Sequence, residues 1–229
     1  MQDNSVLMND VIVLDNPILK SQLSMLREKS TDSTDFRRHL RNAGYLMTYE
    51  IIGRECGTAP LPISTVFEDI DGEMIREHIL QIIVMRAGLP FMEGGSRLLD
   101  EVKTSRDIGV VDAKRIEKGG LDMEIEVSSF KVPVVKKGSV VIIYDPMVAT
   151  ASTLVEVIDR LENKEQAKRI IVCSILSTPY GIRKLRERFG KELNIYTLSI
   201  DGGATDGLDE NGYIVPGLGD CGDRAFGVY

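Results

Sequence analysis

Three stretches of the chain gather residue types that bind anions or order a polar ligand. The first is Asp145-Pro146-Met147-Val148-Ala149-Thr150-Ala151-Ser152-Thr153, one acid followed by small residues and three hydroxyls. It follows the apolar run Val140–Tyr144 and opens an amphipathic stretch, so it lies where a buried strand hands over to a helix. Open parallel sheets bind ligands at that edge. Small side chains let backbone N–H groups approach a phosphate, the hydroxyls of Thr150, Ser152 and Thr153 add donors, and a helix N-terminus adds positive potential. Asp145 repels a phosphate and suits ribose hydroxyls beside one. A plain strand-to-helix turn with Ser/Thr capping would have the same composition.

The second stretch is Val84-Met85-Arg86-Ala87-Gly88-Leu89-Pro90. An arginine closing an all-apolar strand needs an anionic partner, because an unpaired buried cation is costly. That partner is either a structural carboxylate or an anionic ligand. The third is Gly212-Tyr213-Ile214-Val215-Pro216-Gly217-Leu218-Gly219-Asp220-Cys221-Gly222-Asp223-Arg224, a loop punctuated by Gly and Pro with exposed backbone amides. Such a loop is a surface turn or a rigid hood over a planar ligand. Two weaker basic groups are Lys114-Arg115 and Arg38-His39-Leu40-Arg41-Asn42; a solvated charged loop is the alternative for the first and an ordinary charged helix face for the second. His39 and His78 have no metal-ligand neighbourhood in sequence.

The elements that must position these residues can be read from hydrophobic period. Val11–Leu14 is strand-like, and Pro17 suits the first turn of a helix to about Lys29. Thr31–Thr34 supplies capping residues for a long helix with Phe36, Leu40, Ala43, Met47 and Ile51 on one face. Pro60 and Pro62 break that pattern, and Ile63–Ile70 with Asp71-Gly72-Glu73 reads as a hairpin with its turn at the glycine. Then come a buried strand (Ile79–Met85), a helix (Phe91–Val102), a strand (Ile108–Val111) and an arm (Met123–Val135) that interrupts the alternation. The alternation resumes as strand Val140–Tyr144, helix Ser152–Asn163, strand Arg169–Leu176, helix Pro179–Phe189 and strand Leu193–Ile200. Continuous β-branched runs alternating with helices predict parallel βαβ units covered on both faces. The whole is an α/β fold in one domain over 1–229, with an N-terminal helical region (1–60), a β-arm (109–135) and a C-terminal hood (201–229).

Composition narrows the class. With 229 residues, 43% hydrophobic, the chain can bury one substantial core. The net charge of -7 argues against non-specific nucleic-acid binding, which needs cations, and favours a small anionic ligand met by local arginines. Three cysteines without CxxC spacing form neither a disulfide framework nor a zinc site and point to a reducing, cytoplasmic setting. Residues 1–10 do not read as a signal peptide, and no apolar run is long enough for a bilayer. No nucleic-acid or membrane partner is expected.

The residues at 145–153 closely resemble the phosphoribosyl pyrophosphate (PRPP) loop of uracil phosphoribosyltransferases, with Ala151-Ser152 where that family often has Gly-Gly. The string 212–224 is similar to the same family's uracil-recognition signature, and the order from Arg86 through both segments is the family's. The resemblance implies a type I phosphoribosyltransferase fold and conversion of uracil and PRPP to UMP and diphosphate, with Mg²⁺ carried by substrate oxygens and water. It implies PRPP contacts from Arg86, Arg115 (in a stretch that looks archaeal in type), Asp145, Pro146, Met147, Val148, Ala149, Thr150, Ala151, Ser152, Thr153 and Asp220. It places uracil on Ile214, Gly219, Asp220 and Cys221, with Cys221 contributing backbone in a position where the family usually has Ala. It links Arg38, His39, Leu40, Arg41 and Asn42 to a GTP effector, leaves CTP as a second effector, and implies a homodimer or homotetramer. The competing readings are a phosphoribosyltransferase for another base, a non-catalytic nucleotide- or RNA-binding regulator of the same fold, and a structural subunit.

Overall fold

A computed structural model describes residues 11–116, 124–202 and 206–227. Its centre is a sheet of eight strands: β1 (Val11–Val13), β4 (Ile79–Val84), β5 (Arg106–Ile116), β6 (Glu124–Lys131), β7 (Val140–Tyr144), β8 (Met147–Val148), β9 (Arg169–Ser177) and β10 (Leu193–Ile200). The path runs β1-β10-β9-β7-β4-β5-β6, with β8 beside β9. Every pairing is parallel except β5 with β6. The expected α/β fold is present; of the segment read as a β-arm, β5 and β6 form an antiparallel pair at the sheet edge, and residues 117–123 lie outside the described residues. β5 does double duty: residues 106–111 pair with β4, and residues 110–116 pair with β6.

The helices are α1 (Pro17–Arg27), α2 (Ser33–Glu55), α3 (Gly88–Glu101), α4 (Ser152–Asp159), α5 (Pro179–Phe189) and α6 (Cys221–Phe226). Their starts follow capping chemistry. Asn16 caps α1 ahead of Pro17, Asp32 accepts from the N–H groups of Thr34 and Asp35, and Thr178 caps α5. Gly190 ends α5 at φ 65°. Helix α4 stops at Asp159, four residues before the sequence pattern suggested; Arg160 closes its last turn onto the Glu156 carbonyl, and Asn163 then takes a left-handed conformation at the start of a 3₁₀ turn.

β4 and β7 are buried along their whole length, and their side chains alternate between two apolar clusters. Ile79, Ile83, Val140, Ile142 and Tyr144 join α1, α2 and α3 on one face; Leu80, Ile82, Val84, Val141 and Ile143 join α4 and α5 on the other. Full burial of each such aliphatic side chain stabilises by about 1.5–3 kcal/mol. A polar trio survives inside: the Tyr144 hydroxyl bonds Thr48 Oγ1 at 2.8 Å and accepts from Gln81 Nε2 at 3.1 Å. Burial raises the Tyr144 phenol pKa far above its ordinary value.

The N-terminal hairpin differs from expectation. β2 (Thr58–Ser64) and β3 (Asp69–Ile75) form a separate two-stranded ribbon whose turn is Thr65–Glu68, and Gly72 lies mid-strand opposite Leu61. Thr65 drives the turn: its N–H and Oγ1 both donate to the Glu68 carbonyl, and Oγ1 accepts from the Glu68 N–H. In the alternation set by the Thr65–Glu68 and Gly57–Arg76 bonds, Pro60 and Pro62 fall at non-hydrogen-bonded positions and cost the ladder nothing.

Candidate active site

Strand register brings the chemistry together. Ile83 of β4 pairs with Tyr144 of β7, so Arg86 and Asp145 leave neighbouring strands at the same sheet edge. Ile200 of β10 pairs with Ser177 of β9, which delivers residues from 201 onward to that edge too. Between these elements lies a cavity of about 370 Å³ lined by Arg86 and Ala87, by Asp145, Met147, Ala149 and Thr153, and by residues 212–214 and 219–222. The three segments singled out in the sequence therefore share one cleft.

The 145–153 turn is braced from below. Asp145 Oδ1 accepts from the Met147 N–H at 3.1 Å. The Pro146 carbonyl accepts from Ile175 N and Ser174 Oγ, and the Val148 carbonyl from Thr178 N. Thr178 Oγ1 donates to the Ala149 carbonyl at 2.7 Å and accepts from Gly181 N. A Cβ on Gly181 would stand 2.5 Å from the Ala149 carbonyl oxygen, so the start of α5 can approach the turn only as glycine. Ala151 precedes α4 at φ 59°, the left-handed region that glycine enters without strain. Of the nine residues expected here, Asp145, Met147, Ala149 and Thr153 face the cavity. Thr150 and Ser152 are buried and paired with each other at 3.2 Å. Pro146, Val148 and Ala151 form the turn without lining the cavity.

One feature escaped the sequence reading. Lys184, one turn inside α5, donates to Ser152 Oγ at 2.9 Å and brings a cation to the N-terminus of α4. Lys184 stands 32 positions from Ser152, so no local pattern announces the contact.

Arg86 follows a cis Met85–Arg86 peptide and reaches across the mouth of the cleft to Asp223 of α6, Nη2 to Oδ1 at 2.8 Å. Gly88 allows the loop to fold back, since a Cβ there would meet the Tyr144 carbonyl oxygen at 2.6 Å. Arg115 lies in β5 opposite Ile125, and its side chain lies outside the described residues.

The hood spans 206–227 within the described residues. Asp209 Oδ1 accepts from the N–H groups of Asn211 and Tyr213, and Ile214 bridges Leu208. Gly212, Gly217 and Gly219 take positive φ, and the Val215–Pro216 peptide is cis. Ile214, Gly219, Asp220 and Cys221 all line the cavity, with Tyr213 half exposed beside them. Asp220 Oδ1 caps α6 by accepting from Asp223 N at 2.8 Å. Burial first, then the carboxylates of Asp145 and Asp220, push the Cys221 thiol pKa well up, so the thiol stays protonated at neutral pH and is no nucleophile.

Arginines fasten the hood to the N-terminal helices. Arg27 of α1 makes a two-nitrogen ion pair with buried Asp201 and donates to the Gly217 carbonyl at 2.7 Å. Arg224 donates to the carbonyls of Leu218, Leu26 and Glu28 and stacks 4.4 Å from the Phe36 ring centroid. Arg37 of α2 donates to the Ala225 carbonyl.

A second cavity of about 450 Å³ opens between α1, α2 and α3, with Arg38, Arg41, Asn42, Tyr45, Glu93 and Arg97 in its wall. Leu40 is fully buried on the opposite, core-facing side of α2, where it meets no ligand. His39 is buried against Gln22 at 2.8 Å, and burial lowers its pKa, keeping it neutral. Arg41 is engaged by Glu93 at 2.6 Å. No described helix is long and apolar enough to cross a membrane.

Comparison with known proteins agrees with this geometry. The family model described as "Uracil phosphoribosyltransferase" matches residues 13–228. A protein of that name from Thermococcus sibiricus is 39% identical over 216 residues, covering 93% of this chain and 88% of the relative. Another, from Sulfolobus acidocaldarius, is 39% identical over 223 residues, covering 94% and 98%. The solved structure of the AQ2163 protein from Aquifex aeolicus superimposes with a TM-score of 0.83 at 29% identity, covering 95% of this chain and 98% of that one.

Proposed function

The chain belongs to the uracil phosphoribosyltransferase family, a group of pentosyltransferases with a type I phosphoribosyltransferase fold, and from that premise we propose how its cleft joins uracil to PRPP to give UMP and diphosphate. The observation that carries the reading is the single cavity shared by the Asp145 turn, Arg86 and the 212–222 hood.

The turn takes the ribose 5-phosphate on the amides around Ala149–Thr153, and Asp145 accepts from ribose hydroxyls. The hood matches the two carbonyls and two N–H groups of uracil with groups from Ile214 and Gly219–Cys221. A base with another donor pattern leaves buried polar groups unpaired and is rejected. Held this way, uracil N1 lies in line with the anomeric carbon, which removes much of the entropic barrier. Bond breaking puts positive charge on the ribose and negative charge on the departing diphosphate; Arg86, joined by Arg115 from the arm, stabilises the latter. Asp145 and Asp220 bring two carboxylates to the cavity, oxygen donors that suit Mg²⁺ through its water shell while diphosphate supplies further oxygens. When bound, the ion neutralises diphosphate charge and orients the leaving group.

The finer assignments rest on single features. A GTP effector site is proposed at the cavity walled by Arg38, Arg41 and Asn42, where Tyr45 offers a ring to a base; CTP is tested alongside it. A homodimer or homotetramer is supported by the β2–β3 ribbon, whose tip residues Val66 and Phe67 are 93% and 96% exposed. Buried or half-buried cysteines kept as free thiols fit a cytoplasmic enzyme.

The deciding experiment incubates the pure protein with PRPP, Mg²⁺ and an equimolar mixture of uracil, hypoxanthine and orotate, then repeats it with GTP or CTP. UMP is expected as the product, with the other bases untouched. Absence of UMP, or consumption of another base in its place, overturns the reading.

A further inference from the structure

The ion pair between Arg86 and Asp223 is a tie between the two halves of the cleft. Arg86 belongs to the loop after β4, on the diphosphate side of the proposed reaction, and Asp223 to α6, on the hood that takes the base. The guanidinium lies over the first turn of α6: a Cβ on Gly222 would be 3.5 Å from Arg86 Nη2 and 3.3 Å from Asp220 Oδ1. Asp223 occupies the third position of that helix. A carboxylate there often returns to the cap residue's N–H, but the Asp223 carboxylate reaches outward to Arg86 while Asp220 does the capping.

Only Nη2 of Arg86 is engaged; among the described residues no hydrogen bond uses its Nε or Nη1. The remaining edge of the fork is open to an anion in the cleft. Arginine carries a large side-chain entropy, and a partner that holds one corner of its planar group removes part of that cost before the ligand arrives.

We infer that Asp223 is a positioning residue: it holds the Arg86 guanidinium at the mouth of the cleft and sets the distance between base and leaving group. The inference rests on the reading that Arg86 meets the diphosphate. It predicts that Asp223 acts through Arg86 alone.

A double-mutant cycle tests this. Asp223→Asn is expected to lower kcat/KM for PRPP about tenfold, with the KM for uracil and the melting temperature little changed. In an Arg86→Ala background the same substitution is expected to have no further effect. Asp223→Glu, which keeps the charge, is expected to recover most of the loss. An equal loss in both backgrounds assigns Asp223 to the stability of α6 and overturns the inference, as does no change or a gain with Asp223→Asn alone. Should Arg86→Ala itself leave PRPP kinetics intact, the diphosphate role of Arg86 fails and takes the inference with it. Arg86→Ala activity loss with no Asp223→Asn loss sinks the inference alone.

Discussion

Asp145 opens the 145–153 turn at the cavity wall, with one oxygen already drawn to the Met147 amide. Hydrogen bonds to a charged group are worth about 1.5–3 kcal/mol. Asp145→Asn is therefore expected to lower kcat/KM for PRPP by about 10- to 100-fold without moving the melting temperature, as steady-state UMP formation and a thermal melt would show. Wild-type kinetics in that variant would remove the residue from the ribose site. The composition of their short strings marked Asp145, Arg86 and the hood residues as candidates, and the resemblance of 145–153 and 212–224 to a known family separated them from a capped turn, a structural ion pair and a surface loop. Lys184 was not, since its role depends on α5 packing beside α4, and an amphipathic helix shows lysines everywhere on its polar face. Leu40 went to the core with Phe36, Ala43, Met47 and Ile51, as its place on that apolar face indicated and its grouping with the basic residues did not; His39, beside it, follows the same inward face.

Among the elements, the strand–turn–helix units were legible from β-branched runs and capping residues, and their ends moved by only a few residues. The hairpin was misjudged for a specific reason. Asp71-Gly72 has turn chemistry, but the Thr65 hydroxyl builds the turn earlier, and the resulting register carries the glycine into mid-strand. A close contact between elements is less visible: α5 abuts the 145–153 turn through Gly181. Gly181→Ala inserts a methyl group where 2.5 Å is available, an overpacking that costs about 1–3 kcal/mol. The expected outcome is a melting temperature lower by roughly 2–10 °C together with a raised KM for PRPP, while the KM for uracil holds. A stable variant with normal PRPP binding would show that α5 and the turn move independently.

Across the whole molecule, the hood depends on partners far away in sequence. Arg27 and Asp201 are 174 positions apart and meet in a part-buried pair. Burial pushes the Asp201 carboxyl pKa up, but the Arg27 guanidinium, the Ser199 hydroxyl and the Gly217 amide outweigh it and hold it below its ordinary value. A depressed folded-state pKa adds stability above the unfolded value of about 3.9 and loses it as pH falls through the folded value. Asp201→Asn should therefore melt roughly 3–10 °C below wild type at pH 7, with the gap shrinking in melts below about pH 4. A gap that stayed constant with pH would mean the charge contributes nothing. This long-range pairing also sets an order of events during synthesis. Helices α1 and α2 leave the ribosome early, but the carbonyls of Leu26 and Glu28 and the side chains of Arg27 and Arg37 find their mates only when residues 201–225 emerge. A nascent chain that had emerged only as far as residues 200–212 would already own its sheet and its phosphate turn, yet it would have no lid for a pyrimidine and would stay inert until the tail followed.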